Sequence, residues 1–140
     1  MGKLIKISVY FLFIFGTSLN VVAQNYDPIE DPLEVFMEMK DADQRVNYFF
    51  ETKRRYSVSS AYSWLDSINE PLITAEKRND SVAVFKYKLM LSELYYDVGN
   101  YDKGALIGEE LLHKLKKLDR PIKVYLLFTL DKIYKELQLH

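Results

Sequence analysis

The sequence predicts an all-α protein of stacked antiparallel helix hairpins, with roughly five to six helices. Three observations predict it. Leu91, Leu94, Tyr95 and Val98 stand at i, i+3, i+4 and i+7, one apolar stripe on a helix. Gly99-Asn100 ends that stripe, because both residues tolerate the left-handed backbone of a helix C-terminus. Asp102 then marks the start of a second helix carrying Leu106, Leu111, Leu112 and Leu115, which completes an αα-hairpin. Finally, the first helix recurs. With Asp80 set against Asp119, an offset of 39 (119 − 80), Leu91 meets Leu130, Leu94 meets Ile133, Tyr95 meets Tyr134 and Val98 meets Leu137. One hairpin cannot bury its own apolar face, so a recurring one implies stacked neighbours.

Taken in order, residues 1–23 have the form of a signal peptide: a positive start at Lys3 and Lys6, an apolar run from Ile7 to Phe15, and Val21-Val22-Ala23 ahead of Gln24. A membrane anchor is the rival reading. Gly16, Thr17, Ser18 and Asn20 interrupt the run before the ~20 apolar residues that a spanning helix needs. Removing Lys3 and Lys6 leaves 17 basic side chains (19 − 2) against 20 acidic ones, a net charge of −3. That balance, with the export signal, argues against nucleic acid as a partner. The membrane is expected to be touched only through the signal segment, if it stays uncleaved. No cysteine occurs, so there is no disulfide, thiol nucleophile or Cys-ligated metal. An exported helical chain held by packing alone suits a bacterial periplasm or cell envelope.

Residues 24–31 read as a linker, with Pro28 and Pro32 holding the residues before them extended. The folded domain is expected over 32–140. Asp31 and Pro32 form an N-cap and first helical position, and a short helix with Leu33, Phe36 and Met37 follows as a cap on one end of the stack. Residues 43–56 form the next helix, with Val46, Phe49, Phe50, Lys53 and Tyr56 in its stripe. Its Lys53-Arg54-Arg55 turn complements the helix dipole. Its partner spans Ser57–Asn69 and carries Ala61, Trp64, Leu65 and Ile68, with Trp64 expected in the core. At Glu70-Pro71 the helix either kinks or gives way to a new one capped by Asn69. Residues 43–78 thus form an earlier, more divergent unit. Residues 121–137 repeat the first helix a third time, and its partner helix does not follow. Val124 to Phe128 and Leu130 make this last helix apolar nearly all round. Its bare face is expected to be covered by another chain, by self-association through 121–138, or by further residues.

The hairpin resembles the tetratricopeptide repeat. Leu91 takes the family's Leu place, Ser92 the small place after it, Tyr95 the Tyr place and Gly104 the first Ala place of the second helix, with Gly99 and Tyr101 in the turn. Lys88 and Gly108 depart from the pattern, standing where the family has Trp and an aromatic. The resemblance covers residues 43–140 and implies a right-handed superhelix. Within the family, the chain is most similar to exported N-terminal regions of bacterial envelope sensor kinases and regulators. The offset of 39 exceeds the family's usual period and implies a longer second helix or loop.

The residues offer little chemistry. His113 and His140 are the only histidines, and neither has a base, nucleophile or metal ligand at motif spacing. Glu109-Glu110 are adjacent on a helix and point apart. No P-loop, nucleophile elbow, zinc signature or dinucleotide fingerprint occurs, so no catalytic residue, cofactor or metal is expected. Gly104 and Gly108, one turn apart beside Lys103 and Glu109, read as a close-packing device rather than a membrane motif. Asn79-Asp80-Ser81 matches a glycosylation acceptor, although helix capping explains Asp80 alone.

The resemblance implies that the inner face of each first helix lines a concave groove. The places carried over are Lys86, Leu89, Glu93, Tyr96 and Asp97. Their counterparts 39 residues on are Tyr125, Phe128, Lys132, Lys135 and Glu136. Mixed charge with aromatics suits a protein or peptide partner. The alternative is that Leu89 and Tyr96 only pack between units. The expected function is a non-catalytic interaction module in the envelope, the sensory or scaffolding part of a signalling protein. The alternatives are a stand-alone periplasmic assembly adaptor and a fragment of a longer regulator.

Overall fold

Aspartates at one fixed interval open the first helix of each unit. In the computed structural model, which describes residues 31–53 and 58–139, Asp41, Asp80 and Asp119 immediately precede helices that begin at Ala42, Ser81 and Arg120. The three starts are 39 residues apart, twice over (81 − 42 and 120 − 81). The side chain of Asp41 accepts from the Asp43 amide at 2.8 Å, and that of Asp80 from the Ala83 amide at 3.0 Å. Each satisfies a backbone donor that the first helical turn leaves without an internal partner. The register therefore reaches into the first unit, where the apolar pattern had suggested only a divergent copy.

Six α-helices result among the described residues: α1 (Pro32–Glu38), α2 (Ala42–Thr52), α3 (Val58–Lys77), α4 (Ser81–Asp97), α5 (Tyr101–Leu112) and α6 (Arg120–Leu139), with a 3-10 turn at Leu115–Lys117. No strand occurs among the described residues. The signal-like segment 1–23 and the linker up to residue 30 lie outside the described residues, as do Arg54, Arg55, Tyr56, Ser57 and His140. The period of 39 is filled differently in the two complete units: by a 20-residue second helix in the first, and by a 12-residue helix plus the 3-10 connection in the second.

Of the two readings open at Glu70-Pro71, the single helix holds: α3 continues through Pro71 to Lys77, past the expected end at Asn69. The hairpin turn is capped by Asn100, whose side chain accepts from the Lys103 amide, so α5 begins at Tyr101 rather than at Asp102.

The turns after α3 and α4 share one design. Asn79 and Gly99 both adopt positive φ (54° and 77°). The Asp80 amide donates to the Ala75 carbonyl at 3.0 Å, and the Asn100 amide donates to the Tyr95 carbonyl at 2.8 Å. Bonds back from Asn79 to Glu76 and from Gly99 to Tyr96 complete a Schellman motif in each turn. Asparagine tolerates the left-handed region because its short polar side chain bonds locally. Turn formation and capping thus account for the Asn79-Asp80-Ser81 sequence.

From Leu33 onward the described residues belong to one compact unit, and α4 is its axis. It packs between α3 and α5 and also touches α2 and α6. Neighbours on every side explain why ten of its residues are buried, Lys86, Ser92 and Glu93 among them, and why its sequence shows no clean polar face. Pairings fix the directions. Asp43 meets Lys86 while Lys53 meets Glu93 and Asp97, so α2 and α4 run parallel. Lys88 meets Glu110 and Ser92 meets Gly104, so α4 and α5 are antiparallel. Gly104 faces Ile133 and Gly108 faces Leu130, so α5 and α6 are antiparallel as well. The first helix of each unit is therefore parallel to its counterpart in the next, which is the stacked-hairpin arrangement.

At one end, Trp64 of α3 lies in the core between Phe36 of α1 (ring centroids 4.9 Å apart) and Phe49 of α2 (5.5 Å). Arg45 ties α1 down. It donates to the carbonyls of Phe36 (3.3 Å) and Met37 (3.2 Å) and to the Tyr87 hydroxyl (3.0 Å). The short helix caps this end of the stack as expected.

The glycine pair of α5 sits against two helices at once. A Cβ on Gly108 would lie 2.5 Å from Leu130 Cδ2 and 3.1 Å from its Cγ. One on Gly104 would lie 3.0 Å from Ile133 Cδ1 and 3.1 Å from the Ser92 carbonyl oxygen. Gly108→Val is expected to cost about 1–3 kcal/mol through overpacking, more than its gain in helix propensity of a few tenths. Urea denaturation followed by circular dichroism measures it. An unchanged midpoint would show that α5 and α6 part easily.

Candidate interaction surface

The shared face of α2, α4 and α6 is where the resemblance places a groove. That face is filled by the protein's own side chains. Phe50 of α2 and Tyr125 of α6 stack with centroids 4.3 Å apart and planes 7° from parallel. This contact joins the first unit to the third across the middle one.

A charged cluster lies on the same face. Glu93, 1% exposed, accepts from Lys53 of α2 and from Lys132 of α6 on one carboxylate oxygen, and from the Thr129 hydroxyl at 2.5 Å on the other. Lys53 also donates to Asp97 at 3.1 Å, and the Lys132 ammonium sits 4.8 Å over the Tyr96 ring. Burial pushes the Lys53 ammonium down to about 8, against the pull of Asp97, and the like charge of Lys132 adds to the downward push. Two cations and two carboxylates neutralise one another there. A buried carboxylate needs such partners, because its desolvation would otherwise be costly.

These positions revise the expected binding residues. Lys86, Leu89 and Glu93 are buried, Lys86 in an ion pair with Asp43, and they offer a partner no surface. Tyr125 and Lys132 are half-buried and engaged with Phe50 and Glu93. Tyr96, Asp97 and Glu136 are half-buried; Tyr96 meets the Tyr101 ring at 5.7 Å and Asp97 holds Lys53. Lys135 is exposed and pairs with Asp131 one turn back, at 2.6 Å. Phe128 alone among the ten is a largely exposed apolar side chain, at 66%. The physical reason is α4: it is surrounded, so the face opposite its Leu91/Tyr95 stripe meets other helices rather than water.

Phe128 belongs to a different surface. Val124 (44% exposed) and Leu127 (51%) lie beside it on α6, and Leu106 of α5 is also exposed. The 39-residue interval shows what this face does elsewhere. Val124 corresponds to Phe85 and Val46, both buried. Leu127 corresponds to Lys88, which reaches Glu110 of the following helix, and to Phe49, which meets Trp64 of the following helix. In the first two units, then, this side of the first helix lies against the second helix of its own hairpin. In the third unit no described helix covers it. The sequence led to the expectation that this bare face of α6 is covered, by self-association among other routes, but it assigned Phe128 to the inner groove instead. Comparing equivalent positions one period apart would have separated the two.

His113 is exposed at the end of α5. No cluster of three or more metal-ligating side chains occurs among the described residues. None of the described helices is long and apolar enough to cross a membrane.

Among the described residues, fold and surfaces together define an all-α stack of helix hairpins with a filled inner face and, on α6, a flank that no described helix covers. Comparison with protein-family models, with curated proteins and with solved structures gave no match to this chain.

Proposed function

We propose that this chain is an exported, non-catalytic protein–protein interaction module of the tetratricopeptide type, serving as the sensory or scaffolding part of an envelope signalling protein. The observation that carries the reading is the open flank of α6. Val124, Leu127 and Phe128 form an exposed apolar patch at positions whose counterparts the earlier units cover with a helix. Exposed apolar surface of this kind marks interaction sites. Its partner is a protein segment rather than nucleic acid, given the net charge of −3 that remains without Lys3 and Lys6. The form of residues 1–23 supports export to the periplasm or envelope. The recurring hairpins and the filling of the inner face move the expected docking surface from the groove to the outer side of α6.

A photo-crosslinking residue placed at Leu127 or Val124 in cells tests this. Adducts are expected from both positions and not from Glu76, an exposed site on α3. Absence of adducts at both α6 positions would reject the reading. Recovery of a chain starting at Gln24 from the envelope fraction tests the export part.

A further inference from the structure

The open side of α6 carries an ordered pattern. Arg120, Val124, Leu127, Asp131, Tyr134 and Gln138 follow one another at alternating intervals of four and three; all six are exposed, and the Tyr134 hydroxyl reaches back to donate to Glu109 of α5. That is the spacing of a coiled-coil seam, laid along the outside of a helix whose other side is in the core. The seam has charges and apolar residues in a fixed order: cation, Val, Leu, anion, over ~17 Å of helix.

We infer that this seam pairs with the same seam of a second copy of the chain, α6 antiparallel to α6. The inference rests on the interaction-module reading above and names its partner. The order of residues argues for it. About a two-fold axis midway between residues 125 and 126, Arg120 lies opposite Asp131 of the second copy, and Val124 lies opposite Leu127. The two-fold then repeats both pairings. The four seam positions from Arg120 to Asp131 are matched, charge to opposite charge and apolar to apolar, while Tyr134 and Gln138 lie beyond the paired stretch. Sliding by one heptad sets Asp131 against Leu127 in one direction and Arg120 against Val124 in the other. Parallel pairing sets Arg120 against Arg120 and Asp131 against Asp131. Of these arrangements, only the antiparallel register centred there matches all four positions from Arg120 to Asp131. It also reproduces the fold's own rule, since α4 and α5 run antiparallel, and α6 of the second copy takes the place that α3 and α5 hold in the first two units. Arg120 is exposed, and among the described residues no ion pair or hydrogen bond engages its side chain; Asp131 is exposed too and is held only by Lys135 one turn on in its own helix, an exposed pairing that Arg120 of the second copy joins. Phe128, beside the seam, covers its edge.

The test uses the purified chain and its charge variants, with mass measured by light scattering after size exclusion and association measured by sedimentation. The wild type is expected at twice the monomer mass. Arg120→Glu and Asp131→Arg each set like charges opposite one another twice, and each is expected to weaken association about tenfold or more. Mixing the two variants restores both opposite-charge pairs, and a heterodimer is expected to form with affinity near that of the wild type. The mixture also shows that both variants are folded. A wild-type chain that remains monomeric at about 100 μM overturns the inference, as does a mixture no tighter than either variant alone. If the wild type is monomeric but position 127 crosslinks a different protein in cells, the second copy is ruled out and the interaction reading stands. If position 127 crosslinks nothing, both fall.

Discussion

Replacing Glu93 with alanine lowers the stability of the fold by about 3–5 kcal/mol, the scale set by removing one partner from a buried ion pair. The cause is the position of the carboxylate. Glu93 is nearly inaccessible and is the common acceptor for Lys53, Lys132 and the Thr129 hydroxyl. Without it, two ammonium groups from different helices face each other with only Asp97 to compensate, and a buried hydroxyl loses its acceptor. Glu93→Gln keeps the volume and an acceptor for Thr129 but removes the charge, so its loss is expected to be smaller and still above ~1 kcal/mol. The triple variant Lys53→Met, Glu93→Leu, Lys132→Met is expected to recover most of the loss, because well-packed apolar groups replace a buried charge cluster at little net cost. Urea denaturation of the four chains measures this. If Glu93→Ala unfolds at the wild-type midpoint, the cluster is solvated and the inner face is open after all.

Trp64→Ala is expected to be as damaging, about 3–5 kcal/mol. Trp64 is the chain's one tryptophan, and it is buried. It holds Phe36 and Phe49 on two other helices, so truncation leaves a cavity that α1 and α2 can fill only by moving. Phe36→Ala removes one side of the same contact. The pair of substitutions is expected to be non-additive by 0.5 kcal/mol or more, as is usual for side chains that share one packing site. Circular dichroism follows both variants, and in Phe36→Ala the Trp64 emission is expected to shift to longer wavelength. Strict additivity would show that α1 packs on its own account.

The hairpins were legible because their signals are local. Leu91, Leu94 and Tyr95 repeat at helical spacing, and Gly99 can adopt a backbone that most residues avoid. Trp64 was placed in the core on size and apolar surroundings alone, and its burial agrees. At Pro71 the sequence left a single kinked helix and a second helix equally open; burial of Ile68 and Ala75 on either side of the proline favours the single α3 that forms. The Schellman turn at Asn79 was hidden by a glycosylation-like triplet, although its neighbour at Gly99 was plain. The groove residues were misplaced for a longer-range reason. Whether Glu93 or Leu89 meets water depends on how sharply the stack curves, and that follows from Phe50 reaching Tyr125, two residues 75 positions apart (125 − 50). No window along the chain contains that contact.

The Phe50–Tyr125 stack has a thermodynamic corollary. Repeat arrays are commonly treated as linear chains in which each unit senses only the next, so that ends fray while the middle survives. Here unit one also touches unit three, and Glu93 in between is held from both sides. Such next-nearest coupling removes the partly frayed states and turns a row of modules into one cooperative element. Amide hydrogens in α2, α4 and the first half of α6 should therefore exchange through a single opening event with a common free energy, rather than in a gradient from the termini inward.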